Sequence, residues 1–145
     1  TADTNGEVNG NYSISNIMRL GEPYLCIFQK SDANSQIEGG VFIGTTTKDI
    51  YAEYDITMST STSAKQFSGF TLLKDGKAYT WTSLANIGSV SKESKSAVAG
   101  KSVAAQAQMI GRNDKMNYKC RPQKNGINES FFTIPNWITF SEIKN

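Results

Sequence analysis

The chain contains no histidine. The side chain most used as general base, as metal ligand and as a switch near neutral pH is therefore missing at once. Chemistry must come from hydroxyls, amines, carboxylates or rings. Ser89-Val90-Ser91-Lys92 has the S-x-x-K spacing. In serine acyl-transferases that spacing opens a helix and sets the lysine amine beside the serine hydroxyl. Here it falls in a polar stretch with no helical period, and neither S-D-N nor K-T-G follows, so a solvated loop is the expected reading. Glu53 and Asp55 lie two apart on one face of a predicted strand. Such a pair can act as acid and base or hold a cation, but more often it solvates the outside of a sheet. Gly100-Lys101-Ser102 copies the end of a phosphate loop, yet Lys95 stands where the first glycine is needed. Asn113-Asp114 reads as turn chemistry. No catalytic residue, metal site or cofactor is expected, and the chain does not read as an enzyme.

Aromatic rings carry more information. They make up 10% of the residues and fall on nearly every predicted strand. Most belong in a core, while part of the set is expected to line a groove for an apolar or sugar ligand. Trp81 and Trp137 are the leading candidates. Tyr79 shares a strand face with Trp81, and Tyr51 sits among polar neighbours on its own strand.

Period-two alternation must position these rings. It predicts strands over 24–30, 36–44, 49–58, 67–73, 77–83 and 116–121. Ile50, Ala52, Tyr54, Ile56 and Met58 share one face of the clearest strand. Lys74-Asp75-Gly76-Lys77 is a hairpin turn, because Asp-Gly accepts the positive φ of a type I′ turn. Gly39-Gly40 suggests a bulge or sharp bend. Ser13 or Ser15 can cap a short helix that Gly21 stops before Pro23. The Ala-rich stretch 96–110 favours a second helix, weakened by Gly100. Residues 87–96 lose the period, and 131–140 close the chain as an apolar cluster that Pro135 restricts to a sheet edge. The expected class is α+β: one curved antiparallel meander of about six or seven strands packed with one or two short helices. Residues 1–11 read as a flexible polar lead-in and 12–145 as a single β-rich domain. A chain of 145 residues can bury about 68–70% of its unfolded surface, enough for a core of its own.

Fifteen Lys and Arg against 13 Asp and Glu give a net charge of +2, too little for a nucleic-acid partner. No apolar run is long enough to span a membrane as a helix. Ser and Thr together number 29. Cys26 and Cys120 are too far apart in sequence for a CxxC or zinc site. They form either one disulfide or two buried thiols, and their strand-like surroundings and the hydroxyl-rich surface favour the disulfide and an extracytoplasmic setting. Thr1 is not an initiator methionine, so a processed form is expected. Asn11-Tyr12-Ser13 and Asn128-Glu129-Ser130 are glycosylation sequons, used only in a host that carries the machinery.

The order of marks is distinctive. A short early helix precedes Cys26 in the first strand, and a glycine-containing second strand precedes the alternating third. The hairpin Leu73-Lys74-Asp75-Gly76-Lys77-Ala78-Tyr79-Thr80-Trp81 comes next. Tyr118-Lys119-Cys120, Phe131, Pro135, Ile138-Thr139-Phe140 and Ile143 complete the series. Across about 14–143 this resembles small bacterial envelope lipoproteins. The resemblance implies a fold like the outer-membrane lipoprotein carrier superfamily, a half-open antiparallel sheet around helices whose hollow can hold an acyl chain. Gln123 stands where that family often has a tryptophan after its second cysteine, and Lys48-Asp49-Ile50-Tyr51 replaces its arginine mark. The functional expectation is a non-catalytic envelope or secreted domain binding a lipid or other apolar ligand on the concave sheet face. The alternative is a structural or adhesive subunit of an extracellular assembly such as a filament, self-associating by strand addition or exchange of its N-terminal segment.

Overall fold

The structure, a computed structural model, describes residues 6–31, 33–44, 49–59, 62–93, 112–113 and 115–142. Among these the alternating segments form β1 (Val8–Ser13), β2 (Tyr24–Ser31), β3 (Ser35–Ile43), β4 (Ile50–Ser59), β5 (Ala64–Lys74), β6 (Lys77–Thr82), β7 (Ile87–Lys92), β8 (Lys115–Pro122) and β9 (Thr139–Glu142). One helix, α1 (Ile14–Met18), and one 3₁₀ turn (Glu129–Phe132) interrupt them. All nine strands join one sheet in the order β1-β8-β2-β3-β4-β5-β6-β7-β9. Every pairing is antiparallel except β7 with β9, which is parallel.

This corrects the α+β expectation of six or seven strands: the fold is mainly β. Three segments make the difference. Residues 8–11, read as part of a polar lead-in, belong to β1, which pairs with β8 from Val8 opposite Cys120 to Ser13 opposite Lys115. Residues 87–92, where the apolar period fails, are β7. There a hydroxyl pair, Thr80 Oγ1 and Ser89 Oγ 2.7 Å apart, replaces apolar cross-strand packing. Residues 139–142 cross over and add β9 beyond β7. α1 has only five residues. Its capping box (Ser13 Oγ accepting from Asn16 N–H, Asn16 Oδ1 accepting from Ser13 N–H) starts it, and Gly21 at φ +83° follows its end. The Ala-rich helix expected over 96–110 and the turn expected over 45–48 lie outside the described residues. No helix among the described residues is long and apolar enough to cross a membrane.

The sheet curls. Arg112, just ahead of β8, donates from Nε to Glu93 Oε2 at 2.6 Å, just past β7. The residues flanking the second and eighth strands of the order thereby meet. α1 lies inside the curl, where Ile14 and Ile17 are fully buried with Val41, Ile43, Ile56 and Tyr118. Cys26 and Cys120 face each other in the β2–β8 register and form a disulfide within this core.

The bulge expected at Gly39-Gly40 does not occur. Both glycines pair in register on each side, Gly39 with Phe28 and with Tyr54. The reason for glycine is crowding. Tyr54 lies between Gly39 and Gly69 in the register, and a Cβ on Gly39 would strike the Glu53 carbonyl oxygen and the Tyr54 backbone, one on Gly69 the Tyr54 ring. The ring is buried and its hydroxyl shares a 2.9 Å hydrogen bond with Thr71 Oγ1. The Asp75-Gly76 turn is as expected, with φ of +53° and +76°.

Candidate functional site

Strand parity sends residues to two faces. The inner face is the core around α1. On the outer face, register aligns Glu53, Phe70 and Trp81 across β4–β6 in one row, and Phe42, Tyr51, Leu72 and Tyr79 across β3–β6 in the next. Phe70 and Trp81 stack with centroids 5.4 Å apart and planes 14° apart.

The C-terminal segment straps this surface. Asn128 caps the 3₁₀ turn by accepting from Ser130 N–H at 3.0 Å. The turn presents Phe131, which stacks on Phe42 (4.5 Å, 12°) and on Tyr51 (5.7 Å, 23°), and buries Phe132 against the sheet. Lys74 Nζ donates to the Phe132 carbonyl at 2.8 Å and lies 3.6 Å from the buried Asp49 carboxylate. Further on, Thr139 N–H donates to the Asn86 carbonyl and β9 joins β7. Substituting Lys74 by Met removes a charged donor from the strap, an interaction worth about 1.5–3 kcal/mol. The expected result is a modest loss of unfolding free energy with a larger gain in hydrogen exchange at 129–133 than in the inner strands. Equal exchange throughout would show that Lys74 does not hold the strap.

Between strap and sheet lies a crevice of about 790 Å³. Tyr51, Phe70, Trp81, Phe131 and Trp137 line it with rings, and Glu53, Thr82, Ser83, Asn86, Ser130 and Thr133 form its polar part. There Thr82 Oγ1 and Ser83 Oγ accept from the Leu84 and Ser68 N–H groups, and Thr133 Oγ1 donates to the Glu129 carbonyl. Tyr51 Oη donates to Glu53 Oε1 at 2.8 Å, and Glu53 Oε2 has no partner among the described residues. Trp137 keeps 69% of its surface open, whereas Trp81 keeps 8%. Of the four ring residues singled out from sequence, Tyr51, Trp81 and Trp137 therefore meet in one crevice. Tyr79 shares their face but packs edge-on against Phe140 (5.2 Å, 75°), supporting β9 rather than lining the crevice. Sequence marks Phe131 and Phe70 only as members of the aromatic set, and Glu53 only as half of a carboxylate pair with Asp55. Phe70 was detectable, since the hairpin register puts it opposite Trp81, but the strap that delivers Phe131 has no local sequence signal.

The remaining candidates disperse. Ser89 and Lys92 are three apart on β7, so their side chains leave opposite faces and no dyad forms. Asp55 shares a face with Glu53 but accepts from Ser68 Oγ at 2.9 Å, beside a second hollow of about 520 Å³ that also takes in Ile27, Glu38 and Lys119. Asn113 Oδ1 accepts from Ser15 Oγ, fastening α1, while Asp114 lies outside the described residues. Gly100-Lys101-Ser102 also lies outside them.

Burial raises the Tyr51 phenol well above its ordinary value near 10, and the hydrogen bond to Glu53 and that carboxylate's charge add to the rise. Burial also raises Tyr54, against a smaller lowering by its bond to Thr71. Both stay protonated in the fold while the unfolded chain ionises near pH 10. The unfolded state then binds fewer protons, so this stability is complete below pH 10 and is lost as pH rises above it. Tyrosinate absorbance is expected to show these two phenols ionising only together with unfolding. Ionisation of all six tyrosines near pH 10 with the fold intact would contradict it.

Comparison of the chain with protein-family models, with curated proteins and with solved structures gave no match.

Proposed function

We propose that this chain is a non-catalytic, extracytoplasmic binding domain of the envelope-lipoprotein type that holds a ligand with an apolar surface in its aromatic crevice. The observation that supports the reading is the convergence of Tyr51, Trp81, Phe131 and the open Trp137 on one crevice of about 790 Å³, within the usual size range of ligand sites. Rings this large are normally spent on burial, and an indole left 69% open beside other rings is an unsatisfied apolar surface. The concave inner face, expected from sequence to hold the ligand, is packed with α1 and its neighbours, so the ligand is assigned instead to the outer face. The Cys26–Cys120 disulfide fits an oxidising compartment.

The test is native mass spectrometry of protein purified from an oxidising compartment, before and after incubation with palmitate and with neutral oligosaccharides. A retained adduct that is lost in both Trp137→Ala and Phe131→Ala supports the reading. No adduct with any probe, or one indifferent to both substitutions, overturns it. The second reading, a subunit of an extracellular assembly joined by strand addition, is favoured by β1 and β9, which pair with no further strand on their outer sides among the described residues. Light scattering separates the two: mass rising with concentration supports assembly, and a constant monomer mass opposes it.

A further inference from the structure

The polar rim narrows the ligand class. An acyl chain offers methylenes alone. Seated in the crevice it would cover the Glu53 carboxylate, the Asn86 amide and the Ser130 hydroxyl and give them no partner in exchange for water, while Thr82 and Ser83 already accept from the Leu84 and Ser68 N–H groups and Thr133 already donates to the Glu129 carbonyl. Each polar group buried in that way costs free energy that ring contact must first overcome. A pyranose has the complementary form: a C–H face that lies flat on an aromatic ring, and a perimeter of hydroxyls that donate and accept. The crevice presents the same two elements: an open indole at Trp137 and the partly exposed rings of Phe70 and Phe131, backed by the buried Trp81 and Tyr51, with carboxylate, amide and hydroxyl groups around them. Glu53 sharpens the choice. Tyr51 fixes its Oε1 and leaves Oε2 as a charged acceptor, which strengthens a bond from a sugar hydroxyl and repels an acidic sugar. The crevice is open on the Trp137 side, which suits a chain of sugar units running past the indole better than one enclosed ring.

The geometry points to a neutral saccharide as the ligand of this crevice, with Trp137 as stacking platform and Glu53 as hydroxyl acceptor, an inference that rests on the crevice being the binding site. The test is tryptophan-emission titration of the oxidised full chain with hexasaccharides of β-linked glucose, α-linked glucose and β-linked N-acetylglucosamine, with an oligogalacturonate, and with palmitate. At least one neutral hexasaccharide is expected to bind and the acidic one to bind more weakly. Trp137→Ala is expected to weaken binding by about tenfold or more and Glu53→Gln by about threefold to tenfold. Both positions are exposed, so both variants are expected to melt close to the parent, and urea unfolding checks that the loss is not one of folding. Binding of palmitate, lost in Trp137→Ala, with no response to any saccharide overturns the saccharide inference and leaves the crevice reading standing. Silence towards every probe overturns both.

Discussion

Replacing Cys26 and Cys120 together by alanine is expected to lower unfolding free energy by about 2–5 kcal/mol, the largest effect of any small change to this fold. The two residues are 94 positions apart in sequence, and their bond ties β8 to β2 across almost all of the meander. A loop of that size restricts the unfolded chain by about 4–5 kcal/mol in the chain-entropy account. The topology makes the link more telling. β8 comes late in sequence yet sits between β1 and β2, so its pairings are non-local and their closure entropy must otherwise be met by packing alone. Urea unfolding of the double variant, and of the parent with and without dithiothreitol, measures the effect. The two routes are expected to agree within about 1 kcal/mol. A double variant as stable as the oxidised parent would show that the native sheet gains nothing from the bridge.

Gly69→Ala is expected to cost about 1–3 kcal/mol or more, since the added Cβ would sit well inside contact distance of the Tyr54 ring, itself fixed by burial and by Thr71. Gly39→Ala meets backbone as well as side chain and is expected to be at least as costly. Gly40→Ala supplies the contrast. Its Cβ would reach Leu25 Cδ1 at 3.4 Å and the Cys26 carbonyl at 3.7 Å, ordinary contacts. That substitution is expected to be neutral or to add about 0.4–1 kcal/mol by stiffening the unfolded chain. Adjacent glycines thus carry opposite signs. Shrinking the ring is expected to relieve the clash, so Gly69→Ala should cost at least about 1 kcal/mol less in a Tyr54→Leu background. Equal costs for Gly39→Ala and Gly40→Ala, or no coupling between positions 54 and 69, would contradict this packing.

The same residues show why some of the structure was readable beforehand. β2 to β6 follow from alternation and from the Asp75-Gly76 turn, both local signals. Each is bounded within a few residues of its sequence expectation, since an apolar inner face must alternate with an outer one. β1 and β7 were missed for one reason. Asn9, Gly10 and Asn11, like Gly88, Ser89 and Ser91, are not apolar, so their pairings rest on backbone bonds and hydroxyl pairs that leave no hydropathic period. β9 was missed in part because its place beyond β7 depends on a crossover. At the crevice, sequence marks Trp81 and Trp137 as the leading rings of the aromatic set, and Tyr51 because it lies on the polar face of its strand. It is silent on the roles of Phe131 and Lys74, which arise only when the strap lands on the outer face. Tyr79 shows the limit of face parity. It shares the face of Trp81, but Phe140 takes its edge.

A ligand in the outer crevice would lie against both of the protein's two tryptophans, which line it. Two-dimensional ¹H–¹⁵N correlation spectra of the oxidised chain, recorded during titration with neutral hexasaccharides and then with palmitate, read that location directly. Both indole N–H signals are expected to shift together with the amides of Glu53, Phe70, Asn86 and Phe131, while those of Ile14, Ile17 and Cys26 stay in place. Shifts centred on α1 and the inner face with both indole signals unmoved would contradict binding in the outer crevice.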